Sequence, residues 1–173
     1  MQVIAACAFS TCAFAQQFRI PQMPAPPPMR FVTRTERSEL DAAKDPKSRL
    51  HATLSLAEGH LQRAEECTTQ KKFAEAAAEL GEYLGLIGDM RSFVGTLNRD
   101  KNSTRDLYRH FEWDVRLHIA RLAVIRRDTP ASYAGNIKDA EEYIKDTRSE
   151  ALDSFYGHSV LREPDTPDAI KHP

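Results

Sequence analysis

A chain of 173 residues with 24 Lys+Arg against 25 Asp+Glu fits one domain and carries no net field that would draw it to nucleic acid or to an anionic membrane surface. Nucleic acid is therefore not expected among its partners, and 3 cysteines are too few for a disulfide framework.

Residues 1–15 form an uncharged apolar run that closes on Ala13-Phe14-Ala15, the small-x-small pattern a signal peptidase accepts. This predicts a signal peptide over 1–15, export to the periplasm or outside the cell, and a mature chain beginning at Gln16. The basic stretch that usually precedes such a run is missing before Val3. A lipid anchor at Cys7, after Ile4-Ala5-Ala6, is the minor alternative. The run falls short of the roughly 20 residues a bilayer crossing needs, so no membrane span is expected. Residues 16–34 contain Pro21, Pro24, Pro26, Pro27 and Pro28, a density that excludes helix interior and predicts a disordered or extended tether.

From Thr35 the chain becomes poor in glycine and proline, and 35–156 is expected to be one helical domain. Residues 35–44 read as an extra turn or short helix leading in. Asp45-Pro46 then has the form of a helix start, a capping carboxylate followed by proline at the first helical position. The apolar stripe Leu50, Leu54, Ala57, Leu61, Ala64, Thr68 alternates spacings of four and three. After a turn around Thr69, Gln70 and Lys71, the same alternation runs through Phe73, Ala76, Leu80, Tyr83, Ile87, Met90, Val94 and Leu97, in coiled-coil fashion. Ser103 or Thr104 is placed to cap a third helix with the stripe Leu107, Phe111, Val115, His118, Leu122, Ile125. A second stripe of Trp113, Leu117, Ala120 and Val124 on that helix implies a second packing partner. Asp128-Thr129-Pro130 repeats the cap-then-proline device before Tyr133, Ile137, Ala140, Ile144, Thr147, Ala151 and Phe155. Residues 157–173 read as a tail. Short connections between four long helices predict an all-α fold, an up-down-up-down antiparallel four-helix bundle with a disordered proline-rich N-terminal segment.

The corner Lys71-Lys72-Phe73-Ala74-Glu75-Ala76 resembles the hairpin of a tetratricopeptide repeat, although no second copy follows at the repeat period. The layout of apolar leader, proline segment, Asp45-Pro46-Lys47 opening and Ile125-Arg126-Arg127-Asp128-Thr129-Pro130 corner is similar to exported bacterial helical-bundle proteins of no assigned function. The resemblance implies export and a helical fold, and it implies no activity.

No phosphate loop, nucleophile elbow, paired-cysteine metal motif or zinc-protease helix occurs, and no histidine has a glutamate three residues before it as a di-iron bundle requires. The chain is therefore not expected to be an enzyme, and no cofactor is expected. The one metal-ligand pattern is His110, Asp114 and His118, stacked at four-residue spacing along one helix. The plainer account of these residues is a core histidine, His118, hydrogen-bonded to Asp114, with His110 at the solvent border. His60 and Cys67 lie seven residues apart at an edge of the first long helix and converge on that cluster if the helices are adjacent. Cys67 is expected to be buried and inert. Arg105, Arg109, Arg116, Arg121, Arg126 and Arg127 read as scattered around the third helix and suited to ion pairs with residues such as Glu65, Glu66, Glu141 and Glu142. Asn102-Ser103-Thr104 matches a glycosylation acceptor but reads as a helix cap. The expectation is a non-enzymatic exported interaction or structural module of the cell envelope, whose partner is another envelope protein or a second copy. A metal- or small-ligand-binding bundle using His110, Asp114 and His118 is the alternative.

Overall fold

The computed structural model describes residues 23–156. The expected signal peptide, the lipid-anchor position Cys7, the mature start at Gln16 and the tail at 157–173 lie outside the described residues. Those residues form five helices and no strand: α1 (Arg34–Ala42), α2 (Pro46–Thr69), α3 (Phe73–Gly95), α4 (Asn102–Arg127) and α5 (Ala131–Tyr156). The all-α expectation holds, and none of these helices is long and apolar enough to cross a membrane.

Local chemistry accounts for most helix ends. Thr33 and Glu36 make a reciprocal capping box at the start of α1, which satisfies backbone N–H groups that the first turn leaves open. The Asp45 carboxylate accepts from the backbone N–H of Lys47 and Ser48, each at 3.0 Å, and Pro46 stands at the first helical position. The Ser48 hydroxyl and backbone hydrogen bonds hold the Asp45 carboxyl below the usual aspartate range. Helix α2 ends in a Schellman closure: Lys72 N–H donates to the Cys67 carbonyl at 2.8 Å and Lys71 N–H to that of Thr68 at 2.9 Å. Lys71 itself sits at φ 60°, the left-handed position where glycine is usual.

Two expected caps are not used. Helix α4 starts behind Lys101, which makes no side-chain cap, and Thr104 is buried inside the first turn because its position faces the core. At the other corner Asp128 closes α4, while the Pro130 carbonyl accepts from the Ala134 N–H at 3.0 Å. Pro130 therefore precedes the first turn of α5 and is not part of it.

The predicted stripes become the core. Leu50, Ala57, Leu61, Leu80, Tyr83, Ile87, Met90, Val94, Phe111, Val115, Leu122, Ile125, Ile144 and Ala151 are all buried in one cluster. Leu84 and Leu86 are also fully covered although they lie off the α3 stripe, because α3 has neighbours on several sides. It pairs along its length with α2 and touches α5, whereas α4 pairs with α5 and touches α2; direct contact between α3 and α4 is slight. Helix α1 rests on α2 and is tied to α3 through Asp89, which accepts from Arg37 of α1 and from Arg49 of α2 at 2.9 Å. Burial opposes ionisation of Asp89, yet these two guanidinium hydrogen bonds outweigh it and hold the carboxyl below its usual range.

The proline segment is bound to the helices over its described part. The Ala25 N–H donates to the Ser132 carbonyl at 2.7 Å, and the Asn136 amide donates to the carbonyls of Ala25 and Pro26 at 3.2 and 2.9 Å. Its backbone then crosses α3 at two glycines. A Cβ at Gly81 would lie 2.3 Å from the Met29 carbonyl oxygen, and one at Gly85 would lie 2.2 Å from that of Phe31. Between them the Arg30 guanidinium lies 4.4 Å from the Tyr143 ring centroid of α5. Residues 25–32 are thus a strap over α3 and α5, where the sequence suggested a free tether.

Candidate functional site

The structure separates the three residues singled out on α4. His118 is buried; its Nδ1 lies 3.1 Å from the Tyr83 hydroxyl of α3, and its Nε2 lies 3.3 Å from a Glu58 carboxylate oxygen of α2. Both ring nitrogens are therefore engaged by neighbouring helices, and the expected hydrogen bond to Asp114 is replaced by these. Asp114 acts on His118 only through its charge. His110 is exposed and lines a cleft of about 450 Å³ beside Asp45, Leu97 and Lys101. The cause is angular: residues four apart drift around a helix, so a row that begins at the surface at His110 reaches the core at His118.

Burial pushes the His118 imidazole below its usual pKa and the Tyr83 phenol above its own. Glu58 is in turn held by Arg121, which also grips both oxygens of Glu65 at 2.6 and 2.7 Å. This is the interhelical ion pairing expected for the α4 arginines, and Arg126 with Glu141 at 2.7 Å is a second instance.

A different histidine gathers ligand groups. His60 of α2 is buried and does not converge with the α4 residues. Its Nε2 lies 2.6 Å from Glu36 Oε1 of α1 and 3.6 Å from Glu82 Oε2 of α3, and its Nδ1 lies 2.7 Å from Glu79 Oε2. The second oxygen of Glu36 accepts from the Thr33 hydroxyl at 2.7 Å and its backbone N–H at 2.8 Å. Burial opposes the Glu36 charge, but the hydrogen bonds from His60 and Thr33 prevail and hold its carboxyl below the usual range. Arg63 Nε donates to Glu79 at 2.8 Å. Ligand atoms of Glu36, His60 and Glu82 all lie within 4.8 Å of one another. Cys67 stands apart: half-buried, its thiol lies 4.0 Å from Glu75, and burial raises its pKa, which makes it a poor nucleophile.

Sequence reasoning missed the His60 group, although a signal existed. His60 is eleven residues before Lys71 and Glu82 eleven after it; Arg63 and Glu79 are likewise eight before and eight after. A hairpin folded at Lys71 brings those pairs together.

The second stripe of α4 has no described partner. Trp113, Leu117 and Val124 are 63%, 57% and 46% exposed, on the side of α4 opposite Phe111, Val115, Leu122 and Ile125. At 100° per residue, Arg109, Arg116 and Arg127 fall along one edge of this stripe, and all three are exposed. The arginines are therefore less scattered than they read in sequence.

Comparison with protein-family models, with curated proteins and with solved structures finds no match to this chain.

Proposed function

We propose that the protein is a non-enzymatic, exported helical interaction module of the cell envelope, whose four long helices form an up-down-up-down bundle and whose contact face is the outer stripe of α4. The observation that carries this is the exposure of Trp113, Leu117 and Val124 in a row on one helix face. With Ala120 they keep spacings of four, three and four, the spacing of a helix–helix seam. Tryptophan and arginine are the residues that dominate protein interfaces, and the adjoining edge supplies Arg109 and Arg116.

The partner this face fits is an amphipathic helix of another envelope protein, with apolar residues at matching spacing and acidic residues along the edge that meets the arginines. A second copy in antiparallel pairing is disfavoured by charge. Two copies of α4 paired antiparallel about a two-fold axis would set the arginine edge against itself. Export rests on the Ala13-Phe14-Ala15 boundary.

The chain's single tryptophan is Trp113, so its fluorescence reports on this face alone. A synthetic amphipathic helix with a glutamate edge should shift Trp113 emission to the blue at concentrations where the same helix with a lysine edge does not. Equal response to both peptides, or none to either, would contradict the proposal. So would a concentration-dependent blue shift of the protein alone, which would indicate self-association.

A further inference from the structure

We infer that Glu36, His60 and Glu82 form a binding site for one divalent transition-metal ion of the zinc class, with Glu79 orienting the histidine. Each ligand comes from a different helix, so the ion would join α1, α2 and α3.

The donor set and its supports are those such a site needs. Zinc takes imidazole nitrogen and carboxylate oxygen at about 2.0–2.2 Å, and tetrahedral coordination then sets ligand atoms about 3.3 Å apart. Glu82 at 3.6 Å from Nε2 is close to that separation, and Glu36 at 2.6 Å reaches it by opening less than 1 Å. A ligating histidine ordinarily gives its other ring N–H to a carboxylate, which fixes the tautomer and raises the basicity of the coordinating nitrogen. Glu79 stands 2.7 Å from Nδ1 to take that proton once Nε2 is coordinated; Arg63, whose Nε donates to Glu79 and whose Nη2 lies 2.6 Å from Nδ1 in the metal-free protein, then turns to Glu79 alone. Glu36 is anchored by Thr33 through its other oxygen, so Oε1, which meets His60 Nε2 in the metal-free protein, can turn to the ion.

Charge points the same way. Glu36, Glu79 and Glu82 set three carboxylates around an imidazole whose side chain is 6% exposed, with the Arg63 guanidinium, its Nη2 2.6 Å from Nδ1, as the cation of the group. Three carboxylates against one guanidinium leave the group net negative, which a bound cation offsets. A divalent ion balances Glu36 and Glu82, while Arg63 balances Glu79, so the group closes at neutrality. Sulfur is absent and only three side chains converge, which disfavours copper(I) and calcium respectively. Glu82 is partly exposed, so the fourth position can hold water.

The test is isothermal titration of chelator-treated, full-length protein with zinc chloride. One ion per chain should bind, and Glu82→Gln should weaken binding ten-fold or more without lowering the melting temperature of the metal-free protein. Glu79→Gln should weaken it by roughly 10–100-fold, as expected for a positioning group. His60→Gln should abolish it, but Glu82→Gln decides the matter if that variant fails to fold. His110→Ala should bind as the parent does. Absence of stoichiometric binding, or binding untouched by Glu82→Gln, or binding lost with His110, would overturn the assignment.

Discussion

Replacing Gly85 with alanine should destabilise this protein, although the same change at Gly59 should stabilise it. In an exposed helix interior, Gly→Ala gains about 0.5–1 kcal/mol through lower chain entropy in the unfolded state. Gly59, half-buried in the interior of α2, is open enough for this gain: a Cβ there meets only the Arg63 guanidinium, at 3.4 Å. At Gly85 the new methyl would sit 2.2 Å from the Phe31 carbonyl oxygen and 2.5 Å from its carbon, so the strap backbone must move by about an ångström. Moving it gives up the Arg30–Tyr143 contact, worth about 0.5–1 kcal/mol. It also weakens the hydrogen bonds to Ser132 and Asn136, each worth about 1 kcal/mol, and the packing of Val32 on the core. Losses of about 2–4 kcal/mol against the gain leave Gly85→Ala less stable by about 1–3 kcal/mol. At roughly 3 °C per kcal/mol, the melting temperature should fall by about 3–9 °C. Urea denaturation of both variants, followed by helical circular dichroism, separates the two effects. If Gly85→Ala and Gly59→Ala shift stability in the same direction, the strap does not rest on α3 as described.

Lys71→Gly should stabilise the protein by about 1 kcal/mol, because it relieves a side chain held at φ 60°; a loss of stability in denaturant melts would argue against that closure. His118→Gln should remove a pH dependence. Burial lowers the folded pKa of His118 below its ordinary 6.5, so below that pH the unfolded chain binds protons more readily and the parent loses stability as pH falls. The stability gap between parent and variant should therefore narrow from pH 7.5 toward 5.5, and a constant or widening gap would contradict a neutral, buried imidazole.

The core was legible in the sequence because burial in a helix repeats every three or four residues, and the α4 stripe from Leu107 to Ile125 is buried as predicted. Pairings between elements were less so. His118 was read with its own-helix neighbour Asp114, but a core side chain points away from its helix and toward others, here Tyr83 and Glu58. The strap was hidden for a related reason: proline density shows that residues 25–32 are extended, not where they lie. Gly81 and Gly85 carried the missing information, since glycine inside a long helix weakens it unless something must approach closely. Glu36 is a capping residue, yet its other oxygen meets His60, a contact that sequence distance concealed.

The most direct test of the α4 interaction face is a charge swap at its basic edge. Arg109 and Arg116 should both be changed to glutamate, with Trp113 emission again titrated against the two amphipathic helices. Both side chains are exposed and neither is in the core, so circular dichroism should match the parent. The swapped protein should bind the lysine-edged helix in preference to the glutamate-edged one, reversing the parent's order. An unchanged preference in a variant that folds normally would contradict the claim that this face recognises its partner.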